Sequence, residues 1–190
     1  MEDFTGCDWT DRGPFTQVRG GRNFFPLDPR PNEVFIDDIA EALAKQCRYN
    51  GHCKPFYSVA QHSVLVSLVV PPKHALAGLM HDAAEAYIGD TVRPLKMVLE
   101  KAAPGVLRGI ADRIDRAIAE RFLIPPAPFE VIKHADNTVL ATEKRDLMEE
   151  GGDWGPLPEP LPVRIVPLTW EAAKEQFLQR FRQLGGHAFA

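Results

Sequence analysis

A chain of 190 residues, 45% hydrophobic and 25% charged, is long enough to bury one core unaided and too apolar to remain disordered. Its formal net charge of −4 supplies no global basic field, which argues against a polymeric nucleic-acid partner. The cysteines, Cys7, Cys47 and Cys53, are odd in number and lack CxxC spacing, which argues against a disulfide framework and makes a reducing cytoplasm the expected setting.

The opening segment MEDFTGCDWT has no basic stretch followed by an apolar one, and no run approaches membrane-spanning length, so neither secretion nor membrane insertion is expected. Residues 1–33, rich in Gly, Pro, Arg and aromatics (GGRNFFPLDPRP), read as an irregular arm. Within it Arg19, Arg22, Asn23 and Phe24 are candidates to line a nucleobase pocket. From Val34 the apolar spacing turns helical through Ile36, Ile39, Ala40, Leu43 and Cys47, with Asp37 and Asp38 in the first turn. The Asn50-Gly51-His52-Cys53-Lys54-Pro55 stretch breaks this helix, and its Cys47, His52 and Cys53 match no zinc-site spacing. Ser58 is placed to cap a second helix running to about Val70, which Pro71 and Pro72 end.

A third helix is expected from about His74 to Ile88, closed by Gly89, with Pro94 where a new segment begins. Leu107, Ile110, Ile114, Ile118 and Phe122 mark the next helix, stopped by Pro125, Pro126 and Pro128. Another, about Phe129 to Glu149, carries Ile132, Ala135, Val139 and Leu140 on one stripe and stops at Gly151-Gly152. A Pro-rich linker then leads to an amphipathic helix near Trp170 to Leu184, free to dock on this chain or on a partner. The expectation is one all-α domain of six or seven helices: an arm over residues 1–33, a helical metal-binding core over 34–150, and a linker with a terminal helix over 151–190.

Two polar residues fall on apolar stripes. His62 lies between Val59 and Val66, and Asp136 between Ile132 and Val139. A lone histidine so placed is usually a hydrogen-bonded core residue, but an unpaired buried carboxylate costs several kcal/mol unless a cation compensates it. The run Leu76-Ala77-Gly78-Leu79-Met80 then delivers His81 and Asp82 side by side. Adjacent His-Asp occurs often by chance, yet two imidazoles and two carboxylates from three helices form one set that suits Mn²⁺, Co²⁺, Ni²⁺, Fe²⁺ or Zn²⁺ and leaves coordination positions open. Such an ion lowers the pKa of a coordinated water and polarises a phosphoryl oxygen. Glu85, four residues after His81 and three after Asp82, shares their helical face and is a candidate general acid or base; its bland alternative is a surface glutamate. Asp90, just past Gly89, either reaches back over the site or caps the next turn. Arg93, Lys96 and Lys133 are candidate phosphate-binding cations, and spacing favours Lys133, three residues before Asp136. His52, His74, His134 and His187 read as packing or surface residues.

The pattern His62, His81-Asp82 and Asp136 resembles the HD-domain superfamily of metal-dependent phosphohydrolases. The segments SVAQHSVLVS and LMHDAAEAYIGDTVRPLK are similar to its small bacterial and phage 5′-deoxynucleotidase branch, the YfbR-like and YfdR-like proteins, with related phage deoxynucleoside triphosphohydrolases. The likeness spans roughly residues 38–146. It implies an HD helical bundle, one divalent transition metal held by His62, His81, Asp82 and Asp136, a nucleotide substrate and a homo-oligomer; a triphosphate substrate would bring Mg²⁺ with it. It further implies that Glu85 assists the attacking water, that Asp90 is a second active-site carboxylate, that Arg48 contacts the phosphate and that Tyr49 packs near the sugar. The expected reaction is hydrolysis of phosphate from a deoxynucleotide, as a 5′-deoxynucleotidase or a triphosphohydrolase. Other readings are cyclic-nucleotide phosphodiester hydrolysis, an idle nucleotide-sensing module, or a structural helical protein. The complete ligand set with Glu85 beside it favours catalysis.

Overall fold

The computed structural model describes residues 10–186; Cys7 and His187 lie outside the described residues. The arm is shaped rather than loose. Thr16–Gln17 (β1) pairs antiparallel with Asn23–Phe24 (β2) across a short 3₁₀ turn at Arg19–Gly21. Arg12 ties this hairpin down, donating to both carboxylate oxygens of Glu33 and to Asp28. The base-pocket expectation for the arm is corrected at two residues. Phe24 is fully buried with its ring stacked 3.7 Å from Tyr87, and Arg22 is spent on an ion pair with Asp38 while lying over the Phe35 ring.

The rest is helical: α1 (Ile36–Lys45), α2 (Val59–Val69), α3 (Ala75–Met80), α4 (Glu85–Ile88), α5 (Arg93–Ala102), α6 (Val106–Arg121), α7 (Phe129–Leu147) and α8 (Trp170–Gln183). The sequence VAQHSVLVSLV of α2 contains no charged residue, so this helix has no face that prefers water and becomes the central one. Ser58 caps it, accepting from the Gln61 N–H at 3.2 Å. Helices α1, α3, α7 and α8 surround it. The α2–α3 crossing requires glycine: a Cβ on Gly78 would stand 2.8 Å from a Val70 methyl and 3.3 Å from the Ser67 Cα.

The C-terminal segment docks on its own chain. Gln61 of α2 holds the linker through the Val166 carbonyl and the Leu168 N–H, and Arg145 reaches the carbonyls of Leu161 and Val163. Helix α8 then buries Ala173, Phe177, Leu178 and Phe181 in the main core. Cys47 and Cys53 face each other at 3.7 Å as free thiols, and burial pushes the Cys53 thiol up to about 11, which keeps it protonated. No helix among the described residues is long and apolar enough to cross a membrane.

The expected third helix is split. Between α3 and α4 the chain makes i→i−3 bonds from Ala83 to Met80, Glu85 to Asp82, Ala86 to Ala83 and Tyr87 to Ala84, a tightening that isolates His81 and Asp82 in the break. In such a turn residues three apart eclipse one another. Glu85 therefore stands over Asp82 more directly than α-helical spacing implies. Gly89, at φ +84, ends α4 in a left-handed conformation suited to glycine and turns the chain toward α5.

Candidate metal centre

Three elements converge on one point. Helix α2 supplies His62, the α3–α4 break supplies His81 and Asp82, and α7 supplies Asp136. Donor atoms of His62, His81 and Asp136 all lie within 4.8 Å of one another. His62 Nε2 is 3.3 Å from Asp136 Oδ1 and 3.6 Å from Asp82 Oδ2, and His81 Nε2 is 3.2 Å from the same Asp82 oxygen. Ligands about 2.1 Å from a shared ion stand about 3 to 3.5 Å apart, so the 3.2 and 3.3 Å separations fit a shared ion, with Asp82 beside the group that His62, His81 and Asp136 form.

The decisive fit is in the imidazoles. His62 Nδ1 donates to Glu143 Oε1 at 2.6 Å and His81 Nδ1 to the Gly78 carbonyl at 2.9 Å, which fixes both rings with Nε2 as the inward atom. Both Nε2 atoms are buried and have no hydrogen-bond partner. Buried nitrogens are rarely orphaned, and a divalent ion satisfies both at once together with two carboxylates.

Charge in the metal-free protein is balanced by protons and cations. Burial and the Arg48 guanidinium push the His62 pKa down, but Glu143 and Asp136 prevail and lift it from 6.5 to about 9. Burial would raise the Asp82 and Asp136 carboxyls. The facing imidazoles, with Arg48 beside Asp82 and Lys133 on Asp136, instead hold both well below the usual range. This would make the binding of an ion here pH-dependent. The His62 proton stabilises the metal-free fold fully below about 6.5 and that contribution is lost as pH rises through about 9. An ion requires the same nitrogen proton-free, so apparent affinity should rise nearly tenfold per pH unit over this window. Calorimetric melts with Mn²⁺ against a chelator control should show a metal-induced Tm increment that grows from pH 6.5 to 9; a pH-independent increment would contradict this balance.

Glu85 faces the same point with one oxygen on Lys96 Nζ at 2.8 Å and the other buried and unpartnered. Burial first, then the charges of Asp82 and Asp90 against the opposing Lys96, raise its carboxyl from 4.5 to about 8. Gln46 fixes the frame around it, donating to the Glu85 carbonyl and accepting from the Asp90 N–H, both at 3.0 Å. Arg48 is buried on the far side, its Nη1 3.7 Å from Asp82 and 4.0 Å from Asp90. Tyr49 does not face the cavity; its hydroxyl donates to Glu143 and its ring tilts against Trp154.

A cavity of about 750 Å³ opens from His81, Asp82 and Glu85 toward α5 and α6. Arg93 and Lys96 are in its wall, together with Lys101 and Arg108. Lys133 is not among the lining residues. It pairs with Asp136 at 2.7 Å, the ordinary result of an i,i+3 spacing of opposite charges. The apolar part of the lining comes from Ile88, Met97, Leu107 and Ala111.

Sequence reasoning missed Glu143 and Gln46. Glu143 has no exposed surface, bonds His62 with one oxygen, and holds Arg48 (3.2 Å) and Tyr49 with the other. Burial would raise its carboxyl, but Arg48 and His62 draw it down to about 2. Its signal was present: it lies seven residues after Asp136, two helical turns along the same face. The neighbouring Lys144, Arg145 and Asp146 gave that stretch the look of a solvated end.

No protein-family model matches the chain. It is 38% identical over 174 residues to the uncharacterized protein YfdR of Escherichia coli K12, covering 90% of this chain and 95% of YfdR. It is also 37% identical over 137 residues to the uncharacterized protein RCAP_rcc00048 of Rhodobacter capsulatus, covering 66% of this chain and 68% of that protein. At this identity over nearly the whole of both sequences, the chain belongs to the same family as YfdR.

Proposed function

We propose that this protein is a cytoplasmic HD-domain phosphohydrolase that uses one divalent transition metal to hydrolyse phosphate from deoxynucleotides. The observation that carries the reading is the pair of orphaned, buried Nε2 atoms of His62 and His81 facing Asp82 and Asp136. When bound, the ion supplies Lewis acidity, lowering the pKa of water and polarising a phosphoryl oxygen.

The chain's own residues do the rest. Glu85 holds its proton at about pH 8 in the metal-free state, and a dication beside it draws that value toward neutrality. A carboxyl in that range takes a proton from the attacking water and returns it to the leaving alkoxide. Lys96 keeps the Glu85 side chain turned to the site through their 2.8 Å contact. Arg48, fixed by Glu143 and within 4.0 Å of both Asp82 and Asp90, is placed to meet a phosphate oxygen once that anion enters. Arg93 and Lys96 counter the substrate's charge along the cavity, while Ile88, Met97 and Leu107 offer apolar surface to the nucleoside.

The test is phosphate release from deoxynucleoside mono- and triphosphates with Mn²⁺ or Co²⁺, with and without chelator, and with products separated into orthophosphate, pyrophosphate and triphosphate. Chelator-sensitive turnover of at least one nucleotide is expected. No turnover by protein with measured metal content would sink the reading.

A further inference from the structure

We propose that Glu143 is the positioning residue of this centre, aiming a metal-ligand imidazole with one carboxylate oxygen and the phosphate-side arginine with the other. The role of Arg48 in this inference rests on the phosphohydrolase reading; the role toward His62 does not.

Glu143 is a fully buried carboxylate, and such a group persists only where its charge is compensated and its lone pairs are filled. Its Oε1 receives the Nδ1 proton of His62 at 2.6 Å. That bond makes Nε2 the nitrogen that faces Asp136 and Asp82 and sets the plane of the ring toward them. Its Oε2 receives Arg48 through Nε at 3.3 Å and Nη2 at 3.2 Å, leaving Nη1 as the guanidinium atom turned to Asp82 and Asp90. The Tyr49 hydroxyl donates to the same oxygen.

The loop that brings Arg48 and Tyr49 to Glu143 is itself strained. Tyr49 takes a φ of +56°, a left-handed conformation that bulky residues rarely adopt, and Asn50 follows at +52°, which asparagine tolerates. Strain of this kind survives only where surrounding contacts overdetermine it. Here those contacts are the ones converging on Glu143, whose helix also accepts the loop at its end, where the Lys54 N–H donates to the Leu147 carbonyl. One carboxylate thus ties α2, the Arg48 loop and α7 together directly behind the metal ligands.

The experiment is a Co²⁺ titration of chelator-stripped protein followed by visible absorption, with circular dichroism as the control for folding. Glu143→Gln should weaken Co²⁺ binding 10–100-fold and alter the d–d band, because the imidazole loses its anionic partner. Its KM for the nucleotide the wild type turns over should also rise. Tyr49→Phe, which removes one donor from the same oxygen and keeps the ring, should shift Co²⁺ affinity in the same direction by a smaller factor. If Glu143→Gln fails to fold, Glu143→Asp keeps the charge but shortens the arm, so it reaches only one of its two targets and should bind Co²⁺ measurably less well. Wild-type Co²⁺ affinity and spectrum in the folded Glu143 variant and in Tyr49→Phe would overturn the proposal. Failure of the phosphohydrolase reading looks different: wild-type protein would bind Co²⁺ and turn over no nucleotide, while the Co²⁺ shifts in the variants would persist.

Discussion

Replacing His81 with alanine should give a folded protein that no longer retains a divalent ion and hydrolyses nucleotides at least about 10³-fold more slowly, since the water and the phosphate both depend on that ion's charge. His81 lies in the break between α3 and α4 with its other nitrogen on a backbone carbonyl, and its removal leaves Asp82 with His62 and Arg48 still beside it. The same substitution at His62 should also remove the metal, but at a second cost. His62 is fully buried against Glu143, and deleting it leaves that carboxylate with Arg48 and Tyr49 only. Breaking a buried ion pair from one side costs roughly 3 kcal/mol or more. Metal analysis, turnover and denaturant melts in the presence of chelator check the pair together. Both variants should lose the ion, and His62→Ala should lose more metal-free stability than His81→Ala. A His81→Ala protein that keeps a stoichiometric ion would remove that residue from the ligand set.

Glu85→Gln should lower kcat by about 10²–10⁴ while metal content stays near that of the wild type, because the group moves protons beside the ion without binding it. Its effect on stability should run the other way. The folded pKa of about 8 is raised above the ordinary 4.5, so Glu85 contributes its stability below about pH 4.5 and loses it as pH rises through about 8. At alkaline pH the wild type carries a buried negative charge beside Asp82 and Asp90; glutamine does not. The metal-free variant should therefore melt higher than the wild type at pH 9, with the difference closing toward pH 5. Kinetics and melts on one preparation read both effects. Activity within threefold of the wild type would assign the proton transfer to another group.

The contrast between these two residues and Lys133 illustrates what separates a site residue from a neighbour. Lys133 lies on the expected face of α7, while His81 lies in the α3–α4 break and Glu85 opens α4. Lys133 pairs with Asp136 on its own helix at 2.7 Å, whereas the Nε2 of His81, 3.2 Å from Asp82, makes no hydrogen bond and one oxygen of Glu85 has no partner. Burial without a partner marks a group held for a ligand or a reaction.

The helices were legible because their information is local. The stripe through α7, the Ser58 cap, the uncharged sequence of α2 and the glycine after α4 each act within a turn or two, and the structure keeps all of them. His62 and Asp136 were legible for the same reason, since a polar residue at an apolar phase of a helix must face the core, while His81 and Asp82 stood out as the polar pair that ends an apolar run. Tertiary structure decided what those residues meet. The Glu143 carboxylate lies 81 residues from His62 and 95 from Arg48, and no periodicity within one helix specifies that α2, the Arg48 loop and α7 will close around it. Packing likewise moved Phe24 from an imagined base pocket to a stack under Tyr87, and the i→i−3 bonds from Met80 to Tyr87 set Glu85 over Asp82. The sequence by itself determined which side chains turn inward, because that depends on helical phase. Only the folded chain decided which inward groups neutralise one another and which are left without a hydrogen-bond partner, because that depends on distances between segments remote in sequence.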